Sequence, residues 1–186
     1  MHIFIKMKKG LSKEIKIPEG IKLKIDGKEL SISGPLGELK RELDFGKLDL
    51  EQTKEELVLK YDRSTKNEKR MMNTITAHIK NMIQGVEEKF EYKLKICFGH
   101  FPFTVKVDGN RAIIKNFLGE KIERIAKIPE GVEVDIQKEI ITVKSSDKEK
   151  AGQAAANFEA ATKIKGRDIR IFQDGVYILE KCGRAV

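Results

Sequence analysis

Ile17-Pro18-Glu19-Gly20 opens the stretch IPEGIKLKIDGKELSISG (residues 17–34), and the same four residues, Ile128 to Gly131, open IPEGVEVDIQKEIITVKS (residues 128–145). After the first, Ile21, Leu23 and Ile25 alternate with Lys22, Lys24 and Asp26, the period of a strand with one buried face. Asp26-Gly27 supplies the left-handed backbone of a tight hairpin, and Leu30 and Ile32 continue the alternation on the return. After the second, Val132, Val134 and Ile136 stand where Ile21, Leu23 and Ile25 stood, and Ile141 and Val143 match Leu30 and Ile32 at the same offset. Five apolar positions in register behind a shared entry turn predict an internal duplication. The plainer reading is two unrelated hairpins that share a Pro-Gly entry turn.

Outward from these hairpins, Glu14 to Ile17 reads as a short strand, and Gly34-Pro35-Leu36-Gly37 as a type I turn. Glu38 to Leu43 and Leu57 to Tyr61 complete a small antiparallel sheet. The period then changes. Met71, Met72, Ile75, Ile79, Met82 and Ile83 recur every three or four residues, predicting a helix over Lys66 to Gln84 that stops at Gly85. Strands follow at Glu91 to Cys97, Thr104 to Val107 and Ala112 to Lys115, and Lys121 to Lys127 leads into the second tetrapeptide. Ala151, Ala154, Ala155, Phe158, Ala161 and Ile164 mark a second helix, stopped at Gly166. In this register the second copy lacks the strands that precede the first helix. The expected fold is α+β: two tandem duplicated domains, residues 1–88 and 89–186, each a small antiparallel or mixed sheet packed on one long helix.

Lys and Arg exceed Asp and Glu by 37 to 29 in the 186 residues, a net charge of +8. That balance favours a polyanion, nucleic acid before membrane, because basic side chains release counterions from phosphate. Cys97 and Cys182 lie far apart with no secretory segment, so reduced thiols are expected, and no run is long enough to span a membrane. With no Trp and 6% aromatic residues, base stacking is not expected to be the main binding device.

Candidates for chemistry are few. Cys97-Phe98-Gly99-His100 is a C-x-x-H, at most half of a zinc site, and reads as a buried thiol near a loop histidine. His78 reads as a boundary residue of the first helix. Gly34-Pro35-Leu36-Gly37 has the letters of a KH clamp, but strands flank it, so it reads as a turn. The aromatic run Phe98 to Phe103 is interrupted by Pro102 and reads as core at a strand end. The C-terminal segment carries Lys163, Lys165, Arg167, Arg170, Lys181 and Arg184 against Asp168, Asp174 and Glu180, with several cations around Gly166. Such a segment can lay cations and open amides along an RNA backbone without reading its bases. Lys115, Lys121 and Arg124 form a second basic cluster that would join it.

Four motifs then stand in order: Asn81-Met82-Ile83-Gln84-Gly85-Val86, His100-Phe101-Pro102, Asn116-Phe117-Leu118-Gly119-Glu120-Lys121, and Arg170-Ile171-Phe172-Gln173-Asp174-Gly175-Val176-Tyr177. Together they resemble the universal large-subunit ribosomal protein six family in its archaeal and eukaryotic branch, called L-nine in eukaryotes. The resemblance runs from Met7 to about Lys181 and makes residues 1–6 look like an extension. It implies a structural constituent of the large subunit, holding rRNA near the sarcin-ricin loop and the stalk base, with neighbouring large-subunit proteins as partners. It implies no catalysis, cofactor, metal, membrane or small-molecule substrate. The location it implies is the cytoplasmic ribosome, with nucleolar assembly if the source is eukaryotic. Carried over by motif, Lys163, Lys165, Arg167, Arg170 and Lys181 are expected RNA contacts, and Asn116, Gly119 and Lys121 are contacts or turns shaping the surface. Leu36 stands where relatives often carry a cation, and Lys138-Glu139 replaces a glycine-type hairpin turn. Two readings of other classes remain beside this one. One is an RNA-processing or RNA-modifying enzyme using His100 and a carboxylate; the other is a protein adaptor.

Overall fold

The computed structural model describes residues 10–46, 48–53, 56–61 and 65–186. The expected extension at residues 1–6, with the choice between Met1 and Met7 as start, lies outside them. The chain divides between Glu88 and Lys89 into two compact units. Among the described residues no helix is long and apolar enough to cross a membrane.

In the first unit, strands β1 (Leu11–Lys16), β2 (Lys22–Asp26), β3 (Glu29–Gly34), β4 (Gly37–Glu42), β5 (Asp49–Gln52) and β6 (Glu56–Tyr61) precede helix α1 (Lys66–Glu87). They form two antiparallel sheets, ordered β2-β3-β4 and β1-β6-β5. Leu30, Ile32, Leu57, Leu59, Met72 and Ile79 are fully enclosed between the sheets and the helix. A capping box starts α1: Thr65 Oγ1 accepts from the Glu68 N–H, and the Glu68 carboxylate accepts from the Thr65 N–H. The helix continues through Gly85 to Glu87. Gly85 is buried in its last turn rather than ending it. The Gly34–Gly37 turn docks on that end, where the Leu36 N–H donates to the Val86 carbonyl at 3.0 Å.

The second unit contains β7 (Phe90–Cys97), β8 (Thr104–Asp108), β9 (Arg111–Lys115), β10 (Arg124–Lys127), β11 (Glu133–Gln137), β12 (Ile140–Ser145), α2 (Lys148–Ala161), β13 (Gly175–Lys181) and β14 (Arg184–Ala185). Its sheets run β10-β9-β8 and β11-β12-β7-β13-β14. Phe117, Phe158, Leu94, Ile114 and Ile141 fill its core. At the turn between β11 and β12, Lys138 itself adopts the left-handed conformation, φ 55°, that a glycine would otherwise supply.

The duplication is present in a different register from the one the repeated tetrapeptide suggests. β2-β3-β4 answers β8-β9-β10, and β1-β6-β5 answers β7-β12-β11, with a helix after β6 and after β12. Asp26-Gly27 therefore corresponds to Asp108-Gly109, and Gly34 to Gly37 corresponds to Asn116 to Gly119. The first IPEG enters β2, while the second enters β11, a strand of the other kind of sheet. The second copy lacks no strands; it gains β13 and β14 after its helix. The tetrapeptide misleads because it is turn grammar. Gly20 and Gly131 both take positive φ, 90° and 82°, at a strand entry, and period-two alternation lets any two such hairpins align.

Candidate nucleic-acid interface

Helix α2 begins at Asp147, whose carboxylate accepts from the Glu149 and Lys150 N–H groups. It ends at Thr162, four residues before Gly166. The buried Thr162 hydroxyl donates to the Phe158 carbonyl and accepts from the Val176 N–H at 2.9 Å, so the start of β13 is tied to the end of α2. Between these anchors runs a basic loop, residues 163–174. Gly166 sits inside it at φ 70°, and the Asp168 carbonyl accepts from the Ile171 and Phe172 N–H groups to turn it back.

Asp174 fixes the far end of this loop. It is 1% exposed, and its carboxylate accepts from the Gly99 N–H at 2.7 Å, the His100 N–H at 3.0 Å and His100 Nδ1 at 2.6 Å. Burial alone would raise its carboxyl, but the hydrogen bonds from His100 and Gly99 outweigh that and hold it below the ordinary value. The His100 ring also stacks on Phe172, with centroids 4.5 Å apart, and the Arg167 guanidinium lies 4.7 Å from the same ring. Two sequence motifs distant in the chain are thus one structure: the Phe and Asp of the Arg170–Tyr177 run hold the His100-Phe101-Pro102 loop.

A third motif closes on the same place. Asn116, at φ 63°, donates from Nδ2 to the Pro102 carbonyl at 2.9 Å. Phe117 and Leu118 are buried, and Gly119 turns the chain at φ 77°. Arg124 lies over the Phe117 ring, forks onto both Glu120 carboxylate oxygens, and donates to the Ala161 and Lys163 carbonyls. The Arg124 hydrogen bond holds the Glu120 carboxyl below its ordinary range, and Arg167 adds to the effect.

The expected contacts divide accordingly. Lys121, Lys163, Lys165, Gly166, Arg167 and Arg170 are exposed on or beside this loop, and Asn116 and Gly119 shape the turn next to it. Arg170 keeps an 86% exposed side chain while chelating Asp168, whose carboxyl is lowered by that pairing. Arg124 differs from these: it is only partly exposed, and its guanidinium fork is engaged by Glu120, the Phe117 ring and the Ala161 and Lys163 carbonyls. Lys115 is exposed but ion-paired with Glu123. Lys181 and Arg184 pair with each other across β13 and β14. β13 runs from Gly175 opposite Cys97 to Lys181 opposite Tyr92, so these two cations stand about 20 Å along the strand from Asp174.

Other expectations change as well. Asp174 does not offset the basic segment at the surface, since it is buried and internally bonded. Cys97 is a free thiol, half-buried rather than buried, as is Cys182. Of the aromatic run, only Phe103 is core, at 4% exposure; Phe98 and Phe101 are 42% and 52% exposed. Along the loop held by the Asp174 bonds the first two rings are open to solvent and the third is buried. These two rings are the candidates that sequence reasoning missed.

The family model described as ribosomal protein L6 matches residues 17–89 and 101–175, one match in each unit. The large ribosomal subunit protein uL6 of Methanococcus vannielii is 46% identical over 176 residues, 95% of this chain and 97% of that protein. Those of Methanobrevibacter smithii and Methanothrix thermoacetophila are 43% and 41% identical, over 92% and 91% of this chain and 97% and 96% of theirs. Matching motifs, a duplicated α+β fold and this extent of likeness agree: the chain belongs to the ribosomal protein L6 family.

Proposed function

We propose that the chain is a structural constituent of the large ribosomal subunit and holds rRNA against the exposed cations of the 163–174 loop and the adjoining Asn116–Lys121 turn. The family is structural and not enzymatic, and the enzyme reading of His100 has no support. Its ring is engaged by Asp174 and Phe172 in holding a loop. The observation that carries the RNA reading is the loop itself. Lys163, Lys165, Arg167 and Arg170 project from a segment anchored at both ends, so phosphate contact costs little ordering entropy. The finer assignment, to rRNA carrying the sarcin-ricin loop near the stalk base with neighbouring proteins there, rests on the family resemblance. The compartment is the cytoplasm, within the ribosome; nucleolar assembly belongs only to a eukaryotic source.

The test is binding to a transcript of the large-subunit rRNA domain that carries the sarcin-ricin loop. Asp168 takes up part of the Arg170 charge, so Lys165, Arg167 and Arg170 changed together to Ala remove the equivalent of about two phosphate contacts. The slope of log K against log salt should shrink by about 2, and affinity near 0.15 M salt should fall about 30-fold. Unchanged affinity and slope would sink this surface. Lys181→Ala with Arg184→Ala should leave both nearly unchanged, because they stand apart from the cluster.

A further inference from the structure

The exposed rings of Phe98 and Phe101 stand on a segment that is not loose. Asp174 holds Gly99 and His100 by three hydrogen bonds, and Asn116 Nδ2 holds the Pro102 carbonyl at 2.9 Å. Phe103 is locked edge-on against buried Phe117, with centroids 5.2 Å apart. Phe101 is therefore presented to water by a rigid loop, at a cost in exposed apolar surface that the fold does not recover. Its ring edge lies 3.8 Å from where a Cβ on Gly119 would stand, so it flanks the Gly119 turn. Lys121 is two residues along that turn. Arg167, stacked on Phe172, lies close enough to Glu120 to act on its carboxylate.

An aromatic face fixed beside cations is suited to one ligand chemistry, a nucleobase stacked on the ring with its phosphate on the neighbouring charges. Inside a duplex both faces of a base are covered by its stacked neighbours, so the nucleotide must be one that is unpaired and out of the stack. An apolar protein partner fits less well, since Lys121, Arg167 and His100 would have to be desolvated around it. We propose that Phe101, flanked by Phe98, is a stacking platform for one unpaired nucleotide of the bound RNA. This rests on the RNA-binding reading above and adds to the phosphate contacts a recognition of single-stranded geometry.

The chain has no Trp, so Phe101→Trp installs a solitary indole reporter at the site. With the same rRNA transcript, Phe101→Leu should weaken binding about tenfold while leaving the salt slope unchanged, because no phosphate contact is lost. Phe101→Trp should bind as the wild type does, and its emission should be quenched by the transcript but not by a fully paired RNA duplex. Suppose Phe101→Leu binds normally and the indole is not quenched, while the Lys165, Arg167 and Arg170 change still weakens binding. Then stacking is wrong and the RNA surface stands. If neither set weakens binding, the RNA surface itself is wrong. An indole that responds only when large-subunit proteins are added would make the occupant a protein and overturn the proposal.

Discussion

Asp174→Ala is expected to lower the melting temperature of the second unit by about 20 °C, followed by calorimetry or by exchange of the β7 and β13 amides. The buried carboxylate accepts three part-buried hydrogen bonds, and removing it takes the acceptor from the Gly99 and His100 N–H groups and from the His100 ring. Hydrogen bonds to a charged group contribute about 1.5–3 kcal/mol each and do not add in full, so about 4 kcal/mol is expected in total. One kcal/mol moves a domain of this size by about 4–8 °C. A fall of less than about 5 °C would show that the loop carries little of the unit's stability. Gly99→Ala is the control: no heavy atom lies within 4 Å of the added Cβ and the N–H is kept, so it should be nearly neutral.

The same carboxylate makes the unit sensitive to acid. Its folded value lies below the ordinary 3.8, so its stabilisation is complete well above that pH and is lost as pH falls through the folded value. Asp174→Asn should be less stable than the wild type at neutral pH. The difference should close progressively below pH about 3.8; a constant gap down to pH 2 would contradict the assignment.

Gly34→Ala should destabilise the first unit by about 3 kcal/mol, a drop of roughly 15 °C. An added Cβ would stand 2.8 Å from Val86 Cγ2 and 3.2 Å from the Val86 carbonyl oxygen, which already accepts from the Leu36 N–H. A rotamer change at Val86 can relieve only the Cγ2 contact; its Cβ, at 2.9 Å, and its carbonyl oxygen move only with the backbone. The helix end and the β3–β4 turn would part. A change of under 1 kcal/mol would mean that this junction is soft. Here the Gly34-Pro35-Leu36-Gly37 letters serve close packing of a turn on a helix.

Much of this was legible in the residues. Apolar period gave both helices and most strands, because burial on one face writes itself locally. The register of the duplication was not, because which strands pair is decided by contacts far apart in sequence, such as β1 with β6 and β7 with β12. In the candidate site, Lys165, Arg167 and Arg170 were readable as exposed cations. Arg124 was read with them, and nothing local to its position announces that Ala161 and Lys163 lie within its reach. Asp174 presents the inverse case. A carboxylate in a basic run looks like surface counter-charge, and only the fold brings Gly99 and His100 to it. Phe98 and Phe101 looked like core because apolar character alone does not tell an inward ring from an outward one.

The order in which the chain is made gives the added strand a further meaning. β13 is the last long strand of its unit to be synthesised, and it brings Asp174 and the Val176 N–H that tether the basic loop to β7's loop and to α2. Translation runs from the N-terminus, so a nascent chain carries Lys163, Lys165 and Arg167 before it has the strand that shapes them. Until β13 docks on β7, those cations belong to an unformed segment that would bear the full entropy of ordering on any RNA. The anchored form of the loop is thus reached only after nearly all of the second unit has been made.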